Sequence, residues 1–347
     1  MIDKDLKNPD ILKGIIFKIN KIAKDLKEPV NLMEVCGTHS QTIAKYGIRS
    51  ILPKNVRLIS GPGCPVCVTS QQDIDNIIEL ARQGVTVVTY GDMLRVPGTV
   101  MTLEKARAEG ADVKHVYSAL DSLKYKDAVF FAIGFETTAP MTAVAVKKGL
   151  TIYPAHKTIP AALSALISME LKISGFLQPG HVSAIIGSRS YSDLKIAQVI
   201  SGFEAIDVLS SIYMLLEMIR DGKKGLHNEY LRIVSDEGNI KAQKILDEVF
   251  RPSDALWRGL GCIKGSGLTL KDKYKDQDAK IIYADILDKV PVAKEPKGCR
   301  CGDVLCGLCR PNECPLFSKS CTPKTPNGAC MVSHEGSCQI EYRYGDL

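Results

Sequence analysis

With 347 residues, 45% hydrophobic and 24% charged, the chain is composed like a soluble globular protein and is long enough for two or three domains with real cores. Its net charge of +6 comes without a dense Lys/Arg tract, which argues against a nucleic-acid partner. The start, residues 1–7, carries early acids and no apolar run, so no export signal is expected. The most apolar helical stretch, residues 205–219, holds Asp207 and Glu217 and falls short of a membrane span. The expected location is the cytoplasm. There, twelve cysteines point to metal or redox chemistry rather than to a disulfide framework.

Apolar residues at 3–4 spacing predict an amphipathic helix over residues 9–28. Residues 30–35 read as a strand ending at Cys36, and Thr38 is placed to cap a helix that Gly47 closes. Residues 56–60 form a second strand, ending in the Gly61-Pro62-Gly63 turn before Cys64. A helix over 70–83 and a strand over 85–90 follow, then a helix at 103–109 and extended chain at 113–117. Residues 128–133 are a buried strand that leads into Gly134-Phe135-Glu136-Thr137-Thr138 and a helix to 148. Further on, 151–154 is extended, 161–171 helical, 181–187 a strand, and 205–220 and 228–249 helical. Repeated strand, glycine turn and helix predict an α/β fold with mainly parallel sheets. The expected division is an α/β domain at 1–120, a second at 121–225, and a helical connection with a cysteine-rich domain at 226–347. The last stretch has little apolar material, so something must staple it.

In open α/β sheets, functional groups collect beyond the carboxyl ends of strands. Cys36, Cys64, Gly91-Asp92 and Gly134-Phe135-Glu136 all fall there. A cysteine that opens a helix feels the positive end of its dipole, which favours thiolate. Cys64-Pro65-Val66-Cys67 suits either a reversible disulfide or two ligands on one metal; the bland reading is a pair of structural thiols in a tight turn. Cys36 alone would be a small buried hydrophobe, but His39 three residues on adds a ligand or proton-transfer reading. Glu136 is either a site carboxylate or a helix N-terminal residue.

The tail holds Cys299, Cys301, Cys306, Cys309, Cys314, Cys321, Cys330 and Cys338, with no histidine between Cys299 and Cys330. An all-thiolate centre follows, zinc or iron–sulfur, and spacing alone does not choose between them.

Taken together, Cys36-Gly37-Thr38-His39, Gly61 to Cys67, Gly134 to Pro140, Pro179-Gly180-His181-Val182-Ser183, Cys301 to Leu305 and Met331 to Gly336 resemble the signatures of the HypD family. The resemblance covers nearly the whole chain. It implies two Rossmann-like α/β domains with a small C-terminal iron–sulfur domain, and a metallocentre-assembly scaffold rather than a conventional enzyme. Such a scaffold pairs with a HypC-type chaperone and is expected to be a monomer on its own. It holds iron while two cyanides, received from a HypE-type partner, and one carbon monoxide are attached to form the Fe(CN)2CO group of [NiFe]-hydrogenase. By the same resemblance Cys36 is the thiolate on that iron, His39 stands beside it, and Cys64 with Cys67 stores electrons. Cys301, Cys314, Cys321 and Cys338 match the family's four-iron [4Fe-4S] spacing. Cys299, Cys306, Cys309 and Cys330 are extra, with Cys306 and Cys309 either a second redox pair or spare thiols. The rival reading is a stand-alone iron–sulfur thiol/disulfide oxidoreductase.

Overall fold

The computed structural model describes residues 9–345. The charged start at 1–7, which argues against an export signal, lies outside the described residues. Eleven strands are formed among them: β1 (Val30–Glu34), β2 (Val56–Ser60), β3 (Val87–Tyr90), β4 (Val113–Val116), β5 (Val129–Ala132), β6 (Thr151–Pro154), β7 (Gly175–Pro179), β8 (Ala197–Ser201), β9 (Gly225–Asn228), β10 (Phe250–Trp257) and β11 (Gly261–Leu270). They make a five-stranded sheet of order β2-β1-β7-β8-β9, a four-stranded sheet of order β4-β3-β5-β6, and the β10–β11 hairpin. Both larger sheets are parallel throughout, so the mainly parallel α/β expectation holds. Burial on both faces explains why β5, β7 and β8 read as continuous apolar or uncharged runs with no alternation.

Neither sheet is confined to residues 1–120 or 121–225. β1 and β2 share a sheet with strands that follow residue 174, through the β1–β7 pairing, while β3 and β4 share one with β5 and β6, through β3–β5. The chain leaves the first sheet after β2, builds the second, and returns at β7. Leu32 opposite Gly175 fixes the register of that return.

Each sheet has one place where its strand order reverses. In the first sheet the chain moves outward from β1 to β2 on one side and from β7 through β9 on the other, so the reversal lies between β1 and β7. In the second it lies between β3 and β5. Crossover helices pass to opposite faces at such a point and leave a crevice beyond the carboxyl ends. The residues there are Cys36 after β1, Gly180-His181 after β7, Gly91-Asp92 after β3, and Gly134-Phe135-Glu136 after β5.

The amphipathic Pro9–Ala23 helix buries Ile19, Ile22 and Ala23 and packs against Ala205–Arg220, which covers the first sheet. One continuous core joins the two sheets, with Met33, Phe131, Phe135, Phe176 and Trp257 in common contact. No helix of the described residues is long and apolar enough to cross a membrane.

Two predicted elements differ, and one hairpin forms where no element was predicted. Residues 181–187 are not a strand: β7 ends at Pro179 and Gly180–Ile186 is helical. The ring of Pro179 sits at the last strand position, where its missing N–H costs no ladder bond. The helix expected over 228–249 is reduced to Ile240–Val249, capped by the Asn239 side chain on the Ala242 N–H at 3.1 Å, with β9 before it. The Gly- and Lys-rich stretch after Pro252 is the β10–β11 hairpin, whose glycines hid the strand pattern.

Candidate metal and thiol site

Cys36 is the residue preceding the Gly37–Lys45 helix and has extended backbone angles. The 61–63 turn lies directly against it: Gly61 N–H donates to Glu34 O at 2.9 Å and Gly37 N–H to Gly63 O at 3.3 Å. A Cβ on Gly63 would stand 2.3 Å from the Cys36 nitrogen, so only glycine permits this approach. The sulfur is buried and receives the N–H groups of His39 and Thr38. Burial, reinforced by the Glu335 carboxylate, outweighs those donors and pushes the thiol up to about 12. The thiolate expected from the helix dipole is therefore not the resting form of this site. The dipole of a nine-residue helix is a smaller effect than full removal from water.

Glu335 comes from the far end of the chain. Its backbone lies against Gly37, Thr38 Oγ1 donates to its Oε1 at 3.3 Å, and Gln41 Nε2 donates to His334 O at 2.8 Å. The Ser337–Tyr344 helix packs on Gly37–Lys45, so the tail is seated on the Cys36 helix.

His39 is fully buried. Its Nε2–H is shared between Gly202 O at 2.9 Å and Ser201 O at 3.3 Å, and its Nδ1 has no partner. Burial lowers its pKa to about 4, so the ring is neutral. It stacks on Phe203, which in turn stacks on His181 with centroids 3.9 Å apart. Phe203 of Gly202-Phe203-Glu204 and His181 of the Pro179-Gly180-His181 motif thus wall the histidine, and its one N–H ties the Cys36 helix to the end of β8.

Cys64 and Cys67 are joined as a disulfide, with both residues buried and Cα atoms 5.2 Å apart. The short Pro65–Val68 turn between them packs on Ala329–Met331, which carries Cys330. Glu136 lies beyond β5, where its Oε1 accepts the Ile159 N–H at 2.9 Å and its buried Oε2 has no partner. Burial raises its pKa to about 7.

Sequence reasoning missed Tyr191, a buried phenol 3.1 Å from Ser183 Oγ and within electrostatic reach of both Glu136 and Cys36. It links the crevices of the two sheets. One aromatic in a polar loop gave no periodic signal. It also missed Glu34, whose Oε1 accepts from Ser40 Oγ at 2.5 Å behind Cys36 and whose pKa burial raises to about 7.

In the tail, Cys299, Cys301, Cys314, Cys321, Cys330 and Cys338 line one small cavity with Leu316, Phe317 and Met331. All four residues of the expected cluster set are therefore brought together, along with two of the extra thiols. Cys306 is buried in the main core, and Cys309 faces a separate cleft of about 630 Å³ beside β2. Sγ atoms of Cys301 and Cys330 stand 2.6 Å apart. The Asn327 N–H donates to Cys321 Sγ at 3.3 Å. Among the described residues no three donors already stand at the spacing of a single metal ion. An all-thiolate lining with apolar walls is the donor chemistry an iron–sulfur cluster requires, and the residues fit such a group.

A buried cysteine at a sheet switch point, a disulfide beside it and a cysteine-lined cavity in the tail define a thiol-rich α/β protein suited to metal or redox chemistry. The profile of HypD, described as the hydrogenase formation hypA family, matches residues 10–345. A protein of Methanocaldococcus jannaschii named for hydrogenase expression and formation is 44% identical over 353 residues, covering 96% of this chain and 97% of that one. The hydrogenase maturation factor HypD of Rhizobium leguminosarum is 40% identical over 98% of this chain and 94% of its own. That of Escherichia coli K12 is 40% identical over 96% and 94%. The chain belongs to the HypD family of hydrogenase maturation factors.

Proposed function

We propose that the chain is the scaffold on which the Fe(CN)2CO group of a [NiFe]-hydrogenase is assembled, with Cys36 as its iron-holding thiolate. Iron is cargo here, shared with a cysteine of a HypC-type chaperone, and cyanide arrives from a HypE-type partner. The observation that carries this reading is the position of Cys36: a lone buried thiol at a sheet switch point, backed by Gly63 and covered by Glu335. A buried neutral thiol gives up its proton when a metal binds, so the site stays quiet until iron arrives.

The chain's own residues divide the work. Neutral His39 fixes the Cys36 helix through its Nε2–H. Glu136, poised near neutrality, holds or releases a proton at the end of β5, while burial keeps the Tyr191 phenol protonated. Cys64 and Cys67 take two electrons and two protons to become a dithiol, and return them on reclosing. An iron–sulfur cluster held in the tail would supply those electrons singly.

Cys301, Cys314, Cys321 and Cys338 are one ligand set for it. Cys299 and Cys330 line the same cavity and stand beside Cys301, as spare thiols next to that ligand.

The test is infrared spectroscopy of the protein purified with its chaperone. Cyanide and carbonyl bands are expected in the unaltered protein and absent from Cys36→Ala; bands that survive in Cys36→Ala remove the ligand role. Partner-free turnover of a generic disulfide would instead support the oxidoreductase reading.

A further inference from the structure

Arg258 follows β10 and is one of the few fully buried cations, at 2% exposure. Its backbone N–H donates to Val68 O at 2.9 Å and its Nε to Thr69 O at 3.1 Å, so it closes the chain just past the Cys64–Cys67 disulfide. On its other side Gly259 is pressed back to back against Gly302: a Cβ on Gly259 would lie 2.1 Å from the Gly302 Cα. That contact brings Arg258 beside Cys301, within electrostatic reach of its sulfur. Nη1 donates to the half-exposed Glu295 at 3.0 Å, while Nη2 is buried with no acceptor.

A buried guanidinium is expected to be fully paired, because an unmet donor removed from water is costly. Leaving one N–H open is tolerable where negative charge arrives during function. The partition between the disulfide turn and the cysteine-lined cavity is such a place.

We propose that Arg258 poises the Cys64–Cys67 couple, its charge stabilising the reduced pair and making the disulfide easier to open. Stabilising the reduced form raises the potential of a thiol couple. The step balances as protein disulfide plus dithiol donor giving protein dithiol plus donor disulfide, with two electrons and two protons transferred. Arg258 itself is unchanged throughout: it is a positioning residue, acting through charge. This inference rests on the redox reading of Cys64 and Cys67.

The experiment equilibrates the purified full chain with graded ratios of reduced and oxidised dithiothreitol. Alkylation and peptide mass spectrometry then read the state of Cys64 and Cys67. Arg258→Gln should shift the equilibrium about tenfold toward the disulfide, which is about 30 mV for a two-electron couple. Arg258→Lys, which keeps the charge, should recover most of the shift. Glu295→Gln, which removes the counter-charge from a half-exposed position, should move the equilibrium the opposite way. A purely structural role would not produce opposite signs, and Glu295→Gln carries the test should Arg258→Gln fail to fold. An unaltered couple that is reversible but unmoved by these changes, or moved in one direction by both Arg258→Gln and Glu295→Gln, overturns the inference alone. An unaltered pair that never opens overturns the redox reading and the inference with it.

Discussion

The two thiol regions are built on opposite principles. Around Cys36 the fold does the placing: parallel strands end at a switch point, Gly63 fixes the approach of the neighbouring turn, and the site is shaped before any metal arrives. Around the tail cavity there is little regular structure. Residues 299–345 form only short helical turns such as Cys301–Leu305, Pro311–Glu313 and Ala329–Met331, with Ser337–Tyr344 as their longest helix. Their local core is small, with Phe317, Cys321 and Met331 as its buried members. The first site is set by strand ends, the second by short turns laid on the main core.

The strongest way to break that contrast is to remove the staples. Cys314→Ser with Cys321→Ser should abolish iron–sulfur absorption and leave residues 299–345 open to protease, while the two parallel sheets remain resistant. Limited proteolysis with mass spectrometry reads both regions in one experiment. A tail that stays protected in the double variant would place its stability in Phe317, Met331 and Ile340 instead. Next in size is Gly63→Ala, which forces a methyl against the Cys36 backbone. A destabilisation of about 3 kcal/mol is expected from such overpacking, read from the denaturant midpoint. A variant as stable as the unaltered chain would mean that the 61–63 turn adjusts freely and does not set the position of Cys36.

The same contrast explains what was legible in the sequence. Strands β1 to β6 were readable because parallel strands in a buried sheet appear as short apolar runs, and Cys36, Cys64 and Glu136 announced themselves by standing just after them; β7 to β11 were not read. Sheet membership was not readable. Nothing in residues 56–90 signals that the chain is leaving one sheet for another, because pairing between β1 and β7 is a contact across more than 140 residues. Tyr191, Glu34 and Arg258 were hidden for a related reason: each gains its meaning from a neighbour distant in sequence, such as Glu136, Arg49 or Cys301. In the tail, counting thiols pointed to a centre, but the closeness of Cys301 to Cys330 depends on loop paths that spacing does not encode.

A smaller effect sharpens the first half of the comparison. If the crevice is preformed, Glu136 is already desolvated without a ligand, and stability must depend on pH accordingly. Its folded pKa is raised from 4.5 to about 7, so the folded state keeps a proton that the unfolded chain releases. That contribution is full below pH 4.5 and is lost as pH rises through 7. Glu136→Gln has no such loss. Relative to the unaltered protein it should gain about 3 kcal/mol between pH 4.5 and pH 8, a little less than the full linkage of the shift because the unfolded carboxyl is still half protonated at pH 4.5. His39 runs the other way, since its pKa is lowered to about 4 and its contribution is lost as pH falls from 6.5. Both proteins carry His39, however, so it cancels in the difference between them. Urea denaturation of the pair at the two pH values gives the answer. A difference that does not change with pH would mean that water already reaches Glu136, and that the crevice at the end of β5 is open rather than preformed.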